Sequence, residues 1–303
     1  MDGPAEGVMH DGQLNVGTEL AGELIARDFP SLAGAPLSQV DGAGTVNTVF
    51  RVGDDIAARF PLEGTAAAVL EAEARGLGQF AEASTVAAPR PLGVGAGHQA
   101  YPSAWSLQTW VPGAVADPAR FAASAALADD LAELILALRE VPVGDRVFDG
   151  RGRGGELTDH DEWMVHCLSQ SKGIVDTEGV TALWSRLRGA PSAGPHVMSH
   201  RDLIPANLLV SDGRLTGVLD GGGFGPADRA LDLVAAWHLF DSPGRRRLRE
   251  ATGATETEWL RGAAWALQQA MGLVWYYETS NPTMAALGRS TVSRLLSDQE
   301  IAG

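Results

Sequence analysis

Apolar positions along this chain switch between helical and strand periods up to residue 111, then keep the helical period for most of the remainder. Residues 20–29 carry helical spacing. Residues 46–60 read as two strands around Gly53-Asp54-Asp55, and residues 65–81 as an alanine-rich helix bearing Glu71 and Glu73. Pro89 and Pro91 separate that helix from a following strand, residues 93–97 read as a loop, and residues 105–111 as another strand. Beyond a short linker, Leu127, Leu131, Leu134, Ile135 and Leu138 recur at helix spacing and predict a core-facing stripe. Residues 143–157 are a Gly- and Arg-rich loop. Asp159-His160-Asp161-Glu162 predicts a helix start with a reciprocal cap, Asp159 at the N-cap and Glu162 at N3. Residues 163–168, 180–187, 232–240, 256–277 and 283–296 continue the helical pattern. The expected architecture is α+β. A mobile segment 1–12 precedes a mainly antiparallel β part over 13–110, a linker over 111–114 and a larger, mainly helical part over 115–303.

One strand-like stretch interrupts the helical half. Two short apolar runs join Asn207 to Asp220 across Ser211-Asp212-Gly213, which predicts a hairpin turning at Asp-Gly. A centred turn returns the chain to its starting level, so Asn207 and Asp220 are expected side by side, with Asp202 five residues before the amide. A carboxylate able to accept a hydroxyl proton, followed by two hard oxygen ligands, is what transfer of a phosphoryl group from a magnesium nucleotide requires. The order H-R-D-x-x-x-x-N followed by Asp is that of a kinase catalytic loop and its metal-binding aspartate.

The stretch Val197-Met198-Ser199-His200-Arg201-Asp202-Leu203-Ile204-Pro205-Ala206-Asn207-Leu208-Leu209-Val210, with Asp228-Arg229-Ala230-Leu231-Asp232-Leu233-Val234 after it, resembles the aminoglycoside/macrolide phosphotransferase family. Asn47 to Asp55 resembles that family's first hairpin, and Tyr101 to Ser106 with Trp110-Val111-Pro112-Gly113 its inter-lobe region. The resemblance covers roughly residues 18–298. It implies a bilobal, protein-kinase-like fold and transfer of the γ-phosphoryl of ATP or GTP, with Mg²⁺, to a hydroxyl of a small molecule such as an aminoglycoside or macrolide. Asp202 is then the base, and Asn207 and Asp220 are the metal ligands. His200, Asp228 and Asp232 support the loop, with Asp228 also expected to cap a helix. The backbone of Thr109, Trp110 and Val111 would hold the base of the nucleotide.

Arg59 in Ala58-Arg59-Phe60-Pro61 stands where protein kinases carry a phosphate-binding lysine, and Lys172 is the only lysine of the chain. Its expected helix partner is Glu73, with Glu71 as the alternative. Asp41-Gly42-Ala43-Gly44-Thr45-Val46-Asn47 offers backbone N–H groups for phosphates, or is an ordinary entry loop. Departures from the family pattern are Arg201 for Gly, Ile204 for His, Ala206 for Gly and Gly221 for a Phe or Trp. The run Gly221-Gly222-Gly223 predicts a loosely held Asp220.

Composition narrows the field. A net charge of −15 with a pI near 4.8 argues against nucleic-acid binding. The acidity either solubilises the surface or draws a cationic acceptor. The single cysteine, Cys167, permits no intrachain disulfide and fits a reducing cytoplasm, and no apolar run is long enough to span a membrane. Trp237, Trp265, Trp275, Tyr276 and Tyr277 read as core, or as the wall of an acceptor pocket. Two alternatives to an antibiotic kinase follow from the same residues: a metabolite kinase acting on an amino alcohol or sugar, and a nucleotide-binding protein without catalysis.

Overall fold

The computed structural model describes residues 13–40 and 46–302 and divides into two compact units. The segment 1–12 and the glycine-rich residues 41–45 lie outside the described residues. Among the described residues, the first unit comprises 13–40, 46–82, 87–112 and 218–223; the second comprises 83–86, 113–217 and 224–302.

In the first unit, helix α1 (Thr18–Asp28) precedes β1 (Leu37–Gln39), β2 (Asn47–Val52), β3 (Ile56–Pro61), α2 (Ala67–Ala83), β4 (Pro91–Gly95) and β5 (Trp105–Thr109). The strands form one antiparallel sheet in the order β1-β2-β3-β5-β4. β4 replaces much of the expected loop over 93–97. As an edge strand it tolerates Pro91, whose missing N–H faces no partner strand. β1 carries too few apolar positions to announce itself. The core gathers Leu24 and Ile25 of α1 with Phe50, Phe60, Trp105 and Tyr101. The Phe60 and Trp105 rings stack at 4.9 Å, and the Tyr101 hydroxyl donates to the Pro61 carbonyl at 2.6 Å.

The second unit holds β6 (Ala114–Val115), α3 (Pro118–Phe121), α4 (Ala125–Glu140), α5 (Asp161–Gln170), α6 (Thr177–Leu187), β7 (Val197–Ser199), β8 (Leu208–Ser211), β9 (Arg214–Val218) and β10 (Gly225–Ala227). After them come α7 (Ala235–Leu239), α8 (Ser242–Thr252), α9 (Glu256–Tyr276), α10 (Pro282–Ser297) and α11 (Gln299–Ala302). Ala114, expected in the linker, opens β6 and pairs with Val210 of β8. The predicted stripe of α4 is fully buried. α8 escaped the periodicity argument because its sequence is almost wholly polar.

The expected reciprocal cap at Asp159 and Glu162 does not form. Residues Leu157–His160 make a 3-10 turn, α5 starts at Asp161, and its N-cap His160 makes no side-chain capping bond. A capping box does start α9, where Thr255 and Glu258 bond reciprocally. The Asp-Gly turn forms between β8 and β9: Asp212 and Gly213 have φ of 50° and 78°, the left-handed pair such a hairpin needs.

Candidate active site

Asp202 follows β7 on a loop that one buried carboxylate holds from behind. Asp232 accepts from the Ser199 hydroxyl at 2.8 Å and from the backbone N–H groups of His200 and Arg201, each at 3.0 Å. These bonds keep Arg201 at φ 73°, a left-handed conformation that costs a non-glycine residue about 1–2 kcal/mol. That explains why glycine suits this position. The Arg201 side chain offsets the strain: it donates to the Pro226 carbonyl at 2.7 Å, meets Asp149 at 3.2 Å and lies over the Phe148 ring, 5.2 Å from its centroid. The buried His200 ring accepts from the Asp202 backbone N–H through Nδ1 at 3.3 Å.

Three side chains grip the Asp202 carboxylate. Arg153 Nη2 donates to Oδ1 at 2.9 Å, Gln269 Nε2 to Oδ1 at 2.7 Å, and Asn207 Nδ2 to Oδ2 at 3.0 Å. Asn207 also donates to the Asp202 backbone carbonyl at 2.9 Å. Both Asn207 bonds use the amide nitrogen, so among the described residues its side-chain oxygen stays available to a hard cation. Neither Arg153 nor Gln269 was singled out from sequence. Arg153 sits in the Gly- and Arg-rich loop and Gln269 inside α9, and no local spacing connects either to residue 202.

Asp228 does not cap a helix as expected. It is buried, accepts from the Ala230 N–H at 3.0 Å, and receives Arg261 Nε at 2.6 Å and Trp265 Nε1 at 2.8 Å. It ties the chain after β10 to α9. Trp237 and Trp265 are wholly buried core residues.

In the first unit, Arg59 of β3 donates through Nη2 to Asp220 Oδ1 at 2.9 Å. Its direct partner is therefore Asp220 rather than the expected Glu73. Glu73 interacts with both through space: desolvation raises its pKa, the Arg59 charge opposes this and the Asp220 charge adds to it. Asp220 itself has φ 61°, which aspartate tolerates better than most residues.

The glycines after Asp220 form a 3-10 turn and lie close under α2. A Cβ on Gly221 would stand 2.7 Å from Phe80 Cγ, and one on Gly222 would stand 3.2 Å from Glu73 Cβ. The missing aromatic at 221 is thus supplied in space by Phe80, which is wholly buried, and the expected looseness is not what packing provides. Asn47 opens β2 opposite Pro61. The Thr109 N–H is taken by the Arg90 carbonyl at 2.9 Å and the Trp110 N–H by the Asp55 carbonyl at 2.7 Å. Of the three expected base-binding residues, only Val111 keeps an N–H without a partner among the described residues.

A family model described as "Phosphotransferase enzyme family" matches residues 39–265, well over half of the chain. The chain belongs to the phosphotransferase enzyme family. Among curated members, an aminoglycoside 3'-phosphotransferase of Escherichia coli is 29% identical over 174 residues, 48% of this chain and 60% of that protein. One of Streptomyces fradiae is 32% identical over 151 residues, 44% of this chain and 52% of that protein. The matched stretch spans less than two thirds of either relative. Solved phosphotransferases share the fold at low identity. The GDP and kanamycin complex of APH(2")-IIia superposes with a TM-score of 0.70 at 18% identity, covering 92% of this chain and 99% of that one. The macrolide 2'-phosphotransferase of Brachybacterium faecium gives 0.58 at 19% identity, covering 90% and 96%. The fold is therefore the kinase-like α+β fold of this family. No helix among the described residues is long and apolar enough to cross a membrane.

Proposed function

We propose that this phosphotransferase moves the γ-phosphoryl group of ATP or GTP to a hydroxyl of a small molecule, an aminoglycoside or macrolide antibiotic. The observation that carries the reading is the Asp202 carboxylate, fixed by Asn207, Arg153 and Gln269 on a loop that buried Asp232 holds in shape. A hydroxyl is a poor nucleophile, and a carboxylate within hydrogen-bond reach aligns it and accepts its proton as the phosphorus–oxygen bond forms. Asn207 and Asp220 offer the hard oxygens Mg²⁺ prefers, and a site that leaves positions for phosphate oxygens and water suits that ion. Bound there, the ion would neutralise charge on the phosphates. Arg59 binds phosphate, Glu73 balances its charge, Asn47 opens the strand paired with that of Arg59, and the Val111 N–H suits a nucleobase acceptor. His200, Asp228 and Asp232 keep the loop and its supports in place. The net charge of −15 favours a cationic acceptor and disfavours nucleic acid. The lone Cys167 is buried, in keeping with cytoplasmic work.

The pairing of Asp202 with Arg153 and of Asp220 with Arg59 also suits a nucleotide-binding protein without catalysis. An amino-alcohol or sugar kinase would use the same residues on another acceptor. Incubation with Mg-ATP or Mg-GTP and a panel of kanamycin, gentamicin, streptomycin, a macrolide, choline and hexoses separates the three. The expected result is an 80-dalton gain on an antibiotic, abolished in Asp202→Ala. A gain confined to choline or a hexose moves the acceptor class. Tight nucleotide binding without any phosphorylated product would overturn the enzyme reading.

A further inference from the structure

A chain of buried polar groups leads from the helical core to Asp202. Gln269 of α9 donates Nε2 to Asp202 Oδ1 at 2.7 Å, and its Oε1 lies 3.1 Å from His238 Nε2 of α7. His238 Nδ1 lies 3.0 Å from the Thr291 hydroxyl of α10. The chemistry sets every direction in this chain. An ionised carboxylate only accepts, so the Gln269 nitrogen faces Asp202 and its carbonyl faces His238. His238 Nε2 then carries the hydrogen, and Nδ1 accepts from the Thr291 hydroxyl. Burial drives the pKa of His238 down to about 3, so the ring is neutral and keeps this single arrangement. His238 and Thr291 are wholly inaccessible and Gln269 nearly so, which excludes a surface role for the chain.

The two oxygens of Asp202 are loaded unequally. Among the described residues, Oδ1 receives Arg153 and Gln269, whereas Oδ2 receives only Asn207. An oxygen with two donors has no good lone pair left for a third. We propose that Gln269, oriented by His238 and Thr291, is a positioning residue that clamps Oδ1 and so presents Oδ2 to the acceptor hydroxyl. The inference rests on the phosphotransfer reading above. In the step, the acceptor O–H bond breaks and its proton passes to Oδ2. The acceptor oxygen forms the new bond to the γ-phosphorus, and the nucleoside diphosphate departs with the electron pair of the bond that breaks. A carboxylate free to rotate would spend part of its time with both oxygens turned from the hydroxyl, so losing the clamp lowers kcat while nucleotide affinity stays as it is.

Three variants test this, assayed with Mg-GTP and Mg-ATP against the antibiotic panel and against water as acceptor. Gln269→Met keeps the length of the side chain but donates nothing. It is expected to lower kcat about 10- to 100-fold, with the nucleotide KM within about twofold of wild type. Gln268→Met alters the neighbouring glutamine, which bonds His160 at 3.1 Å instead, and is expected to keep wild-type kcat. Gln269→Glu gives a readout that fold damage does not produce. A protonated glutamic acid donates to Oδ1 and restores the clamp, whereas an ionised one repels Asp202. The charged groups facing that position are Asp202 and Arg153, with the neutral His238 behind it. Its kcat relative to wild type is expected to rise at least fivefold as pH falls from 8 to 6. Wild-type kcat in Gln269→Met, or a pH-independent ratio for Gln269→Glu, overturns the inference and leaves the phosphotransfer reading intact. A wild-type protein that phosphorylates no acceptor and hydrolyses no nucleotide overturns that reading, and the inference with it.

Discussion

Substitution at Gly221 should destabilise the fold, because α2 packs onto the turn after Asp220 with no room for a side chain. Its φ lies outside the left-handed region, so alanine fits the backbone and would by itself stabilise by about 0.4–1 kcal/mol through the unfolded chain. The added Cβ, however, would stand 2.7 Å from Phe80 Cγ and 3.0 Å from Phe80 Cβ. Rotating the ring does not move Phe80 Cβ, and the residue is wholly buried on α2, so the strain must be taken by a shift of helix or turn. Overpacking of this kind costs about 1–3 kcal/mol, and the net expectation for Gly221→Ala is a loss of about 1–2 kcal/mol. Phe80→Ala alone should cost about 3–5 kcal/mol by leaving a cavity. In that background the contact with Cγ is gone and only the 3.0 Å contact with the Cβ at position 80 remains, so Gly221→Ala should fall to near neutral, giving a coupling of about 1 kcal/mol between the two positions. Urea unfolding followed by tryptophan fluorescence measures all four species, with equal m-values required for the comparison. A neutral or stabilising Gly221→Ala in the wild-type background, or additivity with Phe80→Ala, would refute the claim that Phe80 fills the place of the missing aromatic.

Three further outcomes are expected. Arg261→Met strands the buried Asp228 carboxylate, whose ion pair is 3% and 5% exposed, and should cost about 3–5 kcal/mol by urea unfolding. Arg59→Ala should leave stability within about 1 kcal/mol, its ion pair with Asp220 being partly exposed, yet raise the nucleotide KM about tenfold; an unchanged KM removes Arg59 from phosphate binding. Acid should weaken the fold through His238, whose folded pKa of about 3 lies below its unfolded value near 6.5. Between those values only the unfolded chain takes up the proton, so stability is full above pH 6.5 and falls on acidification, by about 2 kcal/mol at pH 5. His238→Asn should flatten that slope, and urea midpoints between pH 7.5 and 5 would show whether it does.

Much of the site could be read from short stretches of chain. Asp202 and Asn207 are held together by bonds within a single loop, and the Asp212-Gly213 turn needs only two residues able to take left-handed φ. The buried stripe of α4 follows from one helical period. The failures share a cause. The cap expected at Asp159 lost to a 3-10 turn, and Asp161 spends its carboxylate on Trp184 and Arg188 of a later helix and its end. α8 is too polar for its period to show.

The sequence by itself determined the strongly periodic elements, the order of the reactive groups and hence the family, because those depend on neighbours a few residues apart. Tertiary structure decided which groups restrain the reactive ones. Arg59 reaches Asp220 across 161 positions, and Arg153 and Gln269 reach Asp202 across 49 and 67. Phe80 likewise takes the space that Gly221 leaves. A local period records which side of its own helix or strand a residue faces, but it holds no record of what the rest of the chain brings to that side.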